Sequence, residues 1–152
     1  MYKNYDISQI LPHKKPMLLL NDVLSYNQEL KTLTAIFVIE EENLFYDKKN
    51  KGVPSSVGIE YMAQTIGAYA FYKNNCTIPK IGLLLGARLF STGIDFFKLN
   101  ETYTVKVKEI FTDKQILAFD CIIFDNKNEE IASATVNVYQ NDEIEDFNKN
   151  NG

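Results

Sequence analysis

Val53-Pro54-Ser55-Ser56-Val57-Gly58-Ile59-Glu60-Tyr61-Met62-Ala63-Gln64 is the stretch on which the fold turns. Ser55 or Ser56 is placed to cap a helix start by accepting an orphan backbone N–H. From Val57 to Phe71 most residues are apolar or small, including Ile59, Met62, Ile66, Gly67 and Ala70. A helix that is apolar on every face is a buried one. Glu60 and Gln64 are then expected to lie inside a core. A carboxylate in that position loses hydration, its charged form is disfavoured and its pKa is expected to rise. Glu60 is therefore a candidate general acid.

The bulk composition narrows the setting. A chain of 152 residues with 45% hydrophobic content fits one globular domain. Its net charge of −4 argues against a general nucleic-acid binder. The single histidine, His13, and two distant cysteines, Cys76 and Cys121, lack the spacing of a metal site, so no structural zinc is expected. Leu18-Leu19-Leu20 is too short for a membrane span, and no signal peptide is recognisable. The expected location is cytoplasmic.

Outward from the helix the chain alternates. Residues 2–10 read as a short helix or arm ending before Pro12. Strands are expected at Met17–Tyr26 and around Leu33, Ala35, Phe37 and Ile39, whose side chains share one face. The wrapped helix, Val57–Tyr72, ends near Asn74-Asn75. Four strands then follow, with Ile81–Phe90 expected at the centre of the sheet and a turn at Asp125–Asn128. Residues 1–140 form the expected domain and 141–152 a flexible acidic tail. A single antiparallel sheet wrapped around one long helix, an α+β hotdog fold, satisfies this order. One sheet leaves part of such a helix bare, so a second subunit is the expected cover, with sheets joined edge to edge.

Four motifs carry a family resemblance. Ile10-Leu11-Pro12-His13-Lys14-Lys15-Pro16-Met17, followed by Asp22-Val23, resembles the start of β-hydroxyacyl-acyl carrier protein dehydratases. Gly58-Ile59-Glu60-Tyr61-Met62-Ala63-Gln64 resembles their central-helix motif. Leu84-Leu85-Gly86-Ala87-Arg88 and Asn137-Val138-Tyr139-Gln140 resemble motifs of the divergent dehydratase-like subunits of aryl polyene and related polyketide pathways. The resemblance implies a phosphopantetheine-linked acyl chain on an acyl carrier protein, or an acyl-CoA, as substrate. It also implies a homodimer, or a heterodimer with a homologous dehydratase. The chain departs from the family at one place. Ordinary members carry their catalytic histidine in a Gly-His-Phe-Pro segment before the helix, whereas this chain has Leu44-Phe45-Tyr46-Asp47 there.

Each candidate residue has two interpretations. Glu60 either gives a proton to a departing β-hydroxyl or is a paired structural carboxylate. His13 either takes the α-proton, for which an imidazole suits neutral pH, or fixes a loop between two prolines. Gln64, one turn past Glu60, is expected to orient that carboxylate, the alternative being a bond to a neighbouring strand's backbone. The N–H groups of Val57 and Gly58, in the first helical turn, are placed for an enolate oxygen of the thioester. Arg88 is a candidate for a phosphate or an inter-subunit pair with an acid such as Glu60 or Asp95. Lys48, Lys49 and Lys51 form either a solvated loop or a dock for an acidic carrier. The leading expectation is a 3-hydroxyacyl thioester dehydratase or a subunit of one, eliminating water without metal or organic cofactor. The alternatives are a non-catalytic partner subunit and a thioesterase on the same fold.

Overall fold

A computed structural model describes residues 3–75 and 82–140. After a one-turn helix α1 (Ile7–Ile10), strands β1 (Asp22–Asn27) and β2 (Thr32–Val38) form a hairpin. The short strand β3 (Gly52–Pro54) and a 3-10 turn (Ser55–Val57) lead into the long helix α2 (Gly58–Lys73). Strands β4 (Gly82–Thr92), β5 (Phe96–Lys98), β6 (Thr102–Asp113), β7 (Ile116–Phe124) and β8 (Glu130–Gln140) complete the described chain. Six of them make one antiparallel sheet in the order β1-β2-β6-β7-β8-β4, and β3 pairs with β5. This is the expected hotdog arrangement.

Strict alternation drives the wrap. In β2, Leu33, Ala35 and Phe37 are buried while the intervening residues are half-buried, and β6 repeats the pattern with Tyr103, Val105 and Val107. The register sets Ala35 opposite Val105 and Val105 opposite Ile123, so the apolar faces of three strands coincide under α2. An aromatic cluster closes the start of the helix. Phe37 stacks on Tyr61 with centroids 3.7 Å apart, and Phe97 stands edge-on to both. Burial pushes the Tyr61 hydroxyl up to about 12, and that group accepts a hydrogen bond from Asn43 Nδ2. Phe37 is fully buried. Phe37→Ala is expected to cost about 3–5 kcal/mol of unfolding free energy, measured by urea denaturation.

At the far end of α2, Lys73 pairs with the buried Glu109, at the favourable end of the helix dipole. Lys31 approaches the same carboxylate at 3.9 Å.

Several expectations are corrected. Met17–Tyr26 is not one strand: β1 begins only at Asp22, and residues 17–21 are irregular. The apolar run of β4 lies at the sheet's edge rather than its centre, since β4 pairs with β8 alone. The two-stranded β3–β5 sheet was not anticipated, because three-residue strands carry too little pattern. Neither Ser55 nor Ser56 caps α2 through its side chain, since the 3-10 turn supplies the entry instead. The expected acidic tail, 141–152, and Cys76 lie outside the described residues. Among the described residues, no helix is long and apolar enough to cross a membrane.

Candidate active site

The sheet covers one side of α2, and the rest of its surface is covered only in part. Tyr61, Met62, Thr65 and Ala68 are buried against the strands. Ile59, Ala63, Gly67 and Ala70 are only half-buried, and Glu60 is exposed. These five positions recur at three- and four-residue spacing, so they form one stripe down the helix. Glu60 is therefore not buried by its own chain, which corrects the expectation. The residues around it are apolar, but the strands do not reach this part of the helix.

The N-terminal segment runs along the other side of α2. Tyr5 sits edge-on to Phe71, with centroids 5.4 Å apart. Leu11 lies over Gly67, where an added Cβ would stand only 3.1 Å from Leu11 Cδ2. Further along, Gln64 Nε2 donates to the Met17 carbonyl at 2.7 Å, and Gln64 Oε1 accepts from the Leu19 N–H at 2.9 Å. The segment thus travels toward the start of α2 as the chain advances. His13 falls between the Leu11 and Met17 anchors, near enough to Glu60 for that carboxylate to act on its ring.

Electrostatics agrees with that placement. The His13 ring is half-buried, and its Nδ1 is shut off from water with no hydrogen-bond partner among the described residues. Burial pushes the imidazole below its ordinary value of 6.5, and the Glu60 carboxylate pulls it partly back. A half-buried imidazole held mostly neutral beside a carboxylate is a pair suited to moving protons.

The other candidates fall elsewhere. Gln64 spends its amide on backbone rather than on the Glu60 carboxylate, so the expected orienting contact is replaced by a clamp on residues 17–19. The Gly58 N–H, assigned from sequence to an enolate oxygen with that of Val57, donates instead to the Ser55 carbonyl. Gly58 itself packs where a Cβ would meet Phe97 and Ile123 at 3.4 Å. Arg88 is exposed on β4 opposite Thr135. Thr135 alternates with the buried Ala134 and Val136, so this pair faces away from α2. Arg88 shares an outer-face groove of about 570 Å³ with Leu85, Ile110, Phe111 and Ile116. Both ion pairs among the described residues involve Glu109, so Arg88 joins neither Glu60 nor Asp95. Lys48 and Lys51 share a surface depression with Glu41 and Glu42, which makes that loop mixed in charge rather than a basic patch. Sequence reasoning missed the part played by Met17 and Leu19. They act through their backbone groups, which no residue type announces.

The model of one protein family, described as ApeP-like (ApeP dehydratase), matches residues 5–149. No curated protein matches the sequence. Among solved structures, the chain is similar to the dehydratase heterocomplex ApeI:P from Xenorhabdus doucetiae. The TM-score is 0.83 at 20% identity, covering 99% of this chain and 100% of the other. It is also similar to a hypothetical thioesterase from Streptococcus pneumoniae with coenzyme A, with a TM-score of 0.61 at 11% identity, covering 79% and 84%. The E. coli PaaI protein gives a TM-score of 0.60 at 8% identity, covering 79% and 78%. At these identities the structural likenesses speak for the hotdog fold alone.

Proposed function

The chain belongs to the ApeP-like dehydratase family, and we propose that it is a subunit of a 3-hydroxyacyl thioester dehydratase with His13 and Glu60 as its acid–base pair. One observation carries this: the only histidine is half-buried, largely neutral, and within electrostatic reach of Glu60, the one carboxylate on α2. In the elimination, His13 takes the proton from the thioester's α-carbon. The α,β double bond forms as the β-carbon–oxygen bond breaks, and Glu60 supplies the proton with which the oxygen leaves as water. The acyl chain arrives on the phosphopantetheine arm of an acyl carrier protein. Lys14 and Lys15, exposed beside His13, offer positive charge to such an arm.

A second hotdog subunit closes the site. Among the described residues β4 has no strand on its outer edge and the α2 stripe is only partly covered, with Glu60 exposed, so a subunit laid over it would dry the surroundings of Glu60. The relative from Xenorhabdus doucetiae is titled a heterocomplex, and a homologous dehydratase is the partner we expect here.

One observation favours a second possibility, a partner subunit inactive alone. Tyr46 and its neighbours stand where the family's usual histidine would be, so a partner could bring that base.

The test is an assay of the purified chain, alone and co-expressed with a homologous hotdog subunit, on a 3-hydroxyacyl thioester. The proposal expects enoyl thioester to form without release of free thiol. Thiol release would mark a thioesterase and contradict it. Product only from the mixture, unaffected by His13→Ala, would establish the partner role.

A further inference from the structure

We infer that Gln64 is a positioning residue that sets the distance between the His13 loop and the Glu60 helix. The inference rests on the acid–base pair proposed above. Gln64 is the one polar side chain of α2 that reaches across to the N-terminal segment with both ends of its amide. It is 6% exposed. Its bond from the Leu19 N–H is buried and its bond to the Met17 carbonyl part-buried, so water competes little for the first and only partly for the second. Because the amide bridges residues two apart, it fixes the local direction of that segment as well as its distance from the helix.

The clamp passes to His13 through one tight turn. The Lys14 carbonyl accepts from Met17 N–H at 2.7 Å and from Leu18 N–H at 3.1 Å. Lys14 is joined to His13 by a peptide bond. The path is therefore Gln64 to Met17, Met17 to Lys14, Lys14 to His13, with no flexible side chain after the first step. On the helix, Gln64 lies one turn past Glu60, so both partners of the pair are referred to the same rigid element. Leu11 over Gly67 holds the segment on the other side of His13. With the ring pinned from both sides, its Nδ1 stays out of water although none of the described residues hydrogen-bonds to it.

Since a small misplacement of a catalytic group is costly, loss of the clamp should act on the chemical step. Gln64→Met keeps the length and volume of the side chain and removes both bonds. In the assembly that turns over, kcat should fall about ten- to a hundredfold, with KM changed less than about threefold.

The deciding readout does not depend on activity. His13 is the only histidine, so its imidazole NMR titration is unambiguous. The wild-type midpoint should lie below 6.5, and in Gln64→Met it should move up toward 6.5 as the ring gains water. Amide exchange at Leu19 should quicken in parallel. If Gln64→Met does not fold, Gln64→Asn, too short to reach both backbone groups, is titrated in its place. A folded variant with an unchanged His13 midpoint overturns the inference. A shifted midpoint in a protein whose turnover survives His13→Ala upholds the positioning and removes His13 from the chemistry.

Discussion

Glu60→Gln is expected to lower dehydration by about a hundredfold or more, the scale on which a lost general acid is felt, while leaving the fold intact. The substitution keeps the side chain's shape and removes its titratable proton. Glu60 is exposed on the single chain and joins none of the described ion pairs, so no structural partner is left unpaired. Unfolding midpoints of the two proteins should therefore agree. Wild-type turnover in Glu60→Gln, on a 3-hydroxyacyl thioester, would remove the carboxylate from the chemistry. Hydration of the enoyl thioester should fall by the same factor, because both directions share one transition state.

His13→Ala is expected to cost about 10²–10⁴-fold, the range for loss of a positioned base. The accompanying pH profile carries a sign. A base works when neutral, and burial has pushed His13 below 6.5, so it stays neutral further into the acid range than a free imidazole. The acidic limb of kcat/KM should therefore fall away below pH 6.5, as pH drops through the lowered value. A limb centred above 6.5 would contradict the burial of the ring. The same shift makes the folded chain bind this proton less readily than the unfolded one, so it removes stability as pH falls below 6.5 and has no effect well above it.

The fold was legible wherever a side-chain period was repeated over many residues. Leu33, Ala35 and Phe37 announced a half-buried strand, and the run from Val57 to Phe71 announced the helix, with ends within a residue or two of Gly58 and Lys73. Edge and centre were not legible. β4 is apolar for most of its length, as a central strand would be, and only the pairing of β8 with both β7 and β4 shows it at the margin. Glu60 was identified from its motif but placed in the wrong surroundings. Ala63, Gly67 and Ala70 are as apolar as the residues that face the sheet, so hydrophobicity cannot separate a face turned to the core from one only partly covered. His13 was singled out as the sole imidazole, yet its path along α2 depends on contacts at Gly67 and Gln64 that are far away in sequence. Arg88 shows the converse. Its motif is clear, but one β-bulge between Leu84 and Gly86 shifts the register of β4, and the side chain faces outward, away from the helix.

The central claim is that His13 and Glu60 work as one acid–base pair. A double-mutant cycle tests it most directly, with enoyl formation measured for wild type, Glu60→Gln, His13→Ala and the double variant in the assembly that turns over. Residues acting as a unit are strongly non-additive. The double variant should be no more than a few-fold slower than the slower single variant. Losses that multiply, or a single variant that keeps the wild-type rate, would contradict the pair.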